Sequence, residues 1–171
     1  MRKTGGSGQH GRDRINGGRI MPNHCYNEIQ IVSDKGLEPI RELIINNEKE
    51  VDFNLCAPQP EEVRTSPDML RDQDRTKPNW YDWNCENWGT KWNAYESEVI
   101  QDIDEYGDLL EIKFTTAWGV PYEWVKRLAE KLFEYDPDAN MCGFYRIEGY
   151  EDAGVWRIFD NDGTIQSHGL Y

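Results

Sequence analysis

Between Leu110 and Trp118 the chain alternates without a break. Leu110, Ile112, Phe114, Thr116 and Trp118 fall on one side, and Glu111, Lys113 and Thr115 on the other. A period of two over this length predicts a half-buried β-strand. Three residues later, Pro121 opens a stretch where Trp124, Val125, Leu128 and Leu132 recur at helical spacing. In that stretch Glu123 stands four residues before Arg127, and Asp136-Pro137 ends it. A two-residue period running straight into a helical one argues against both an all-β and an all-α chain.

The same succession occurs earlier. In residues 25–33, Cys25, Asn27, Ile29 and Ile31 share one face, while Tyr26, Glu28 and Gln30 take the other. Residues 37–50 then predict a helix, with Leu37, Ile40, Leu43 and Ile44 as its apolar stripe, Asp34 as N-cap and Pro39 in the first turn. Residues 51–55 predict a short strand that ends before Pro58 and Pro60. Residues 62–79 are polar and aperiodic, and residues 80–92 are dense in aromatic rings. Residues 94–103 predict a strand, and 104–108 a turn around Gly107. After the second helix, residues 141–148 and 155–159 predict strands. Asp160-Asn161-Asp162-Gly163 is a hairpin turn signal before a short last strand. Strand, helix, strand, strand, helix, strand, then a hairpin, predicts an α+β fold of the ferredoxin-like, split βαβ kind. Two helices would cover one face of an antiparallel sheet. The other face would lie open, or under a Trp-rich insertion at about 62–92.

Charge divides the chain. Residues 1–20 hold Arg2, Lys3, Arg12, Arg14 and Arg19 against Asp13 alone, a surplus of four positive charges in a net of −13, so residues 21–171 carry −17. The leader is Gly-rich and aperiodic, which predicts disorder before a single domain at 21–171. Its Gly6-x-Gly8-x-x-Gly11 lacks the flanking strand and helix of a dinucleotide fingerprint. A body this negative repels phosphate backbones, so the expected partner is a protein with a basic surface and not nucleic acid bound directly. Cys25, Cys56, Cys85 and Cys142 are scattered with no Cys-x-x-Cys pair, and no apolar run is long enough to span a bilayer. The expectation is a cytoplasmic protein with reduced thiols.

Four segments carry a family resemblance. They are Met21-Pro22-Asn23-His24-Cys25-Tyr26-Asn27, Asp52-Phe53-Asn54 with Pro58-x-Pro60, Asn87-Trp88-Gly89-Thr90-Lys91-Trp92, and Phe114-x-Thr116-Ala117-Trp118 before Pro121. In this order they resemble the YubB-type ferredoxin-like domain of small phage and plasmid proteins, over most of residues 21–150. The resemblance implies the ferredoxin-like topology and a mobile-element origin in a bacterial host. It implies no bound iron and transfers no chemistry. The basic leader departs from the family's usual start at the Met-Pro-Asn, and the insertion at 68–77 is a second departure.

The candidate contact residues are Asn27, Asn87, Trp88, Thr90, Lys91, Trp92 and Trp118. Exposed, the Trp rings would stack on a partner or ligand while Asn87, Thr90 and Lys91 supplied hydrogen bonds. Buried, the rings of the insertion would cap the open sheet face and anchor a tight turn at Gly89. Asn27 lies on the apolar side of its strand, where a buried amide must find partners. No catalytic constellation and no cofactor motif stands out. His24 and Cys25 are adjacent and point to opposite faces, so they do not form a ligand pair; only a site assembled in space, from Cys56, Cys85 and His168, would hold a metal. Asp160-x-Asp162-Gly163 fails as a calcium loop, because no Glu follows six residues past the Gly. Three readings follow: a non-enzymatic acidic module that docks on a host nucleic-acid-binding or defence protein, a small-molecule binder or enzyme with a pocket under the insertion, and a structural protein whose sheet edges pair into a homodimer.

Overall fold

The computed structural model describes residues 23–66, 79–101, 108–149, 152–158 and 164–169. The fold is α+β. One sheet holds six strands, β1 (His24–Val32), β2 (Tyr95–Gln101), β3 (Leu109–Ala117), β4 (Asn140–Ile147), β5 (Ala153–Ile158) and β6 (Ile165–Gly169). Their order across the sheet is β2-β3-β1-β4-β5-β6, and every neighbouring pair is antiparallel. The helices are α1 (Glu38–Arg41), α2 (Phe53–Cys56), α3 (Glu61–Arg64), α4 (Trp80–Asn87) and α5 (Tyr122–Tyr135).

The alternating strands place Cys25, Ile29, Ile31, Leu110, Ile112, Phe114, Met141 and Trp156 on one buried face. Helix α5 covers it with Trp124, Val125, Leu128 and Leu132, the stripe legible in the sequence, joined by Phe133. The Phe53 ring sits at the centre, 4.5 Å from Trp124, 5.7 Å from Phe114 and 5.8 Å from Trp88. Burying one such ring supplies about 1.5–3 kcal/mol. The opposite sheet face carries Tyr26, Phe144 and Val155 among charged residues, and these three are exposed.

Several elements differ from the sequence expectation. The helix expected over 37–50 is a single turn, α1, whose N-cap is Leu37 and not Asp34. Asn46 stops any continuation: its side-chain oxygen accepts from the amides of Glu48 and Glu50, and Lys49 turns left-handed at φ 64°. The chain folds back so that Ile45 bridges Val51. The strand expected over 51–55 shrinks to that bridge, because the Asp52 side chain caps α2 by accepting from the Asn54 amide. In place of two covering helices the described residues form five helical segments, and among these only α5 is long. Pro121 precedes α5 as its N-cap, and Glu123 pairs with Lys126, leaving Arg127 for Asn87. Two rings of the insertion do not cap the open face: Trp88 joins the main core on the helix side, and Trp83 packs against that core. The turns expected at 104–108 and 160–163, the leader at 1–20 and the departure at 68–77 fall wholly or mostly outside the described residues.

Candidate functional site

The alternation of β3 stops at Trp118, which the period had placed inward. Its backbone is left-handed, φ 74°, and its ring is 42% exposed. A bulky side chain at positive φ is rare and strained, by about 1–3 kcal/mol. Three hydrogen bonds hold it there. The Trp118 amide donates to the Asn23 carbonyl at 2.9 Å. On one side, the Thr90 hydroxyl donates to the Ala117 carbonyl at 2.8 Å. On the other, the Thr116 hydroxyl donates to the Gly119 carbonyl at 2.7 Å. Asn27 stands behind Thr116. Its Nδ2 donates to Thr116 Oγ1 and to the Cys25 carbonyl, both at 2.9 Å, and its Oδ1 accepts from the Cys25 thiol. This amide is 4% exposed, so its partners lie within the fold.

The turn after α4 brings the rest of the site to Trp118. The Trp88 ring is buried, and its Nε1 donates to the Ala57 carbonyl. Gly89, at φ 79°, lets the backbone pass close to the start of α5, where a Cβ would lie 3.1 Å from the Tyr122 nitrogen. Asn87 donates to the Trp83 carbonyl and accepts from Arg127 at 2.7 Å, tying the turn to α5. Asn84, unremarked in the sequence reading, donates to the Lys91 carbonyl at 2.8 Å and accepts from Gln59. Its position four residues before Trp88, on the buried side of an aromatic helix, is the signal that marks it.

Fixed in this way, the Lys91 ammonium lies 4.7 Å from the centre of the Trp92 ring and 5.3 Å from that of Trp118. Both distances are within cation–π range. Trp92 is 37% exposed. Tyr81 meets Trp118 edge-on at 6.1 Å and Tyr95 meets Trp92 at 6.4 Å, which lengthens the ledge. Tyr81 and Tyr95 were missed by the sequence reading, since nothing local sets them beside the two Trp. Of the candidate residues, Lys91, Trp92 and Trp118 therefore form one surface. Asn27, Asn87, Trp88 and Thr90 hold it from behind.

The surface presents indole faces and an ammonium, backed by a bracing set of amides and hydroxyls. Tyr95 is pushed up to about 12 by burial and then by the Glu96 charge, so its hydroxyl stays protonated while it pairs with His24 Nδ1 at 2.8 Å. Burial pushes Cys25 and Cys56 up to about 11 and also raises Cys85, the reverse of an activated thiol. Among the described residues no three His, Cys, Asp or Glu side chains gather as metal ligands. No described helix is long and apolar enough to cross a membrane. The chain matches no family model, no curated protein and no solved structure.

Proposed function

We propose that this chain is a non-enzymatic, acidic protein-binding module of the YubB-type ferredoxin-like family, an accessory protein of a phage or plasmid acting in the bacterial cytoplasm. Its partner is a host protein with a basic surface, of the nucleic-acid-binding or defence kind, and the contact is made through Trp92, Lys91 and Trp118. One observation carries this reading: a large indole is kept 42% exposed by a strained backbone that three hydrogen bonds enforce. Strain retained to present an apolar ring is the mark of a contact point. The net charge of −13 supports fast encounter with a basic surface. The ferredoxin-like topology is supported by the antiparallel order β2-β3-β1-β4, with α5 connecting β3 to β4.

The test is capture from bacterial lysate with the tagged chain and with a Trp92→Ala, Trp118→Ala variant, at low salt and at about 0.5 M salt, where the Debye length falls below about 5 Å. A stoichiometric protein held by the wild type, lost with the variant and released by salt is the expected result. A partner that the variant retains, or that survives the salt, overturns the proposal.

A second reading, a small-molecule binder, is favoured by a concavity of about 430 Å³ on the open sheet face. Phe144 and Val155 supply its apolar part, and Glu28, Gln30, Arg157 and His168 its polar part. A ligand seated there would bind equally well to the Trp92→Ala, Trp118→Ala variant, which separates the two readings.

A further inference from the structure

We propose that the chain forms a two-fold dimer in which β6 pairs antiparallel with β6 of a second copy, joining two six-stranded sheets into one. The two edges of the sheet are built differently. On the β2 edge the register against β3 breaks twice, between Tyr95 and Glu98 and between Val99 and Gln101. Glu96 there turns left-handed at φ 51°, and Glu96 and Glu98 add carboxylates. Bulges and charges are the devices by which natural sheets keep an edge from pairing. Strand β6 has none of them. It runs against β5 in continuous register from Gly154↔Gly169 to Ile158↔Ile165. Its sequence, Ile165-Gln166-Ser167-His168-Gly169, contains no proline, Asp, Glu, Lys or Arg. It is the last strand of the sheet, and Gln166, Ser167, His168 and Gly169 are exposed. Among the described residues no strand pairs with its outer row of amides and carbonyls, and such a row is a template for another strand.

Two features select a second copy as that strand. The first is self-complementarity, which a two-fold contact requires. Antiparallel pairing centred on Ser167 sets Ser167 against itself, Gln166 against His168 of the second copy, and Ile165 against Gly169. Every polar side chain meets a polar one, and no like charges are opposed. The second is where the charge lies. Each copy carries −13, yet β5 and β6 contain no Asp or Glu and one cation, Arg157. The paired strands themselves therefore bring no carboxylate into the seam. The proposal does not depend on the ledge at Trp118.

The experiment is sedimentation equilibrium of the full chain over a hundredfold range of concentration, at low and at high salt, with a Gln166→Glu, His168→Glu variant beside it. The wild type is expected to rise from the single-chain mass toward twice that mass. Salt should strengthen the association by screening the two bodies from each other. In the variant each new carboxylate faces another across the axis, and dimerisation should weaken by about tenfold or more. Both positions are exposed, so circular dichroism should report an unchanged fold. A single-chain mass at every concentration overturns the proposal, as does a dimer that salt dissociates or that the variant forms as readily as the wild type.

Discussion

Trp118, Asn27 and Gly143 each do something that their residue type alone does not announce. At Trp118 a glycine would accept φ 74° without strain. Trp118→Gly should therefore leave stability to urea unchanged or raise it by up to about 1 kcal/mol, while abolishing partner capture. A clear loss of stability would mean that the exposed ring is structural. Asn27 has the opposite balance. Asn27→Ala removes the donor to Thr116 Oγ1 and to the Cys25 carbonyl and the acceptor of the Cys25 thiol, and should cost about 1–3 kcal/mol in the same measurement. At Gly143, on β4, a Cβ would run into the Trp156 ring and lie 2.8 Å from the Glu28 carbonyl. Gly143→Ala should be destabilising by about 1–3 kcal/mol, because strand backbone cannot move aside as a flexible side chain would.

Elements are joined by a few polar ties, and one of them titrates. Ser33, at the end of β1, donates to the buried Asp136 carboxylate at the end of α5 at 2.6 Å, and Lys35 stands 3.5 Å away. The Ser33 hydrogen bond, with smaller help from the Asp138 amide and Lys35, holds the Asp136 carboxyl below its ordinary value. A depressed carboxyl stabilises the fold above the ordinary carboxylate range of about 4 and loses that contribution as pH falls through its folded value. Wild type should thus be more stable than Asp136→Asn at pH 7, and the gap should close on acidification below about pH 4, as followed by thermal melts across pH. A gap independent of pH would remove the tie from the account. Helix α5 and strands β1 and β3 were legible because their apolar spacing repeats over most of their length. Residues 37–56 were not, since Asn46 and Asp52 each bond to nearby amides and cut short a pattern that looked continuous.

For the molecule as a whole, charge and fold act on different properties. A net −13 on a chain of this size repels itself, so screening alone should raise the melting temperature by about 2–5 °C between 10 and 200 mM NaCl. A melting temperature that falls over this range would mean that favourable surface pairs outweigh the repulsion. By itself the sequence determined the α+β class, the inward face of the central strands, the α5 stripe and the acidic character, all of which follow from local period and composition. It also singled out Lys91, Trp92 and Trp118 of the ledge, yet it missed Tyr81 and Tyr95, placed Trp118 inward and left Trp88 and Trp92 undivided. Only the tertiary structure decided that Trp88 is buried while Trp92 and Trp118 are exposed, and that Asn27 and Thr90 act from behind them. The reason is physical: exposure at Trp118 depends on a backbone turn enforced by carbonyl and hydroxyl partners from β1, β3 and the turn after α4. Those segments lie up to about ninety residues apart in the chain and meet only when the sheet has formed.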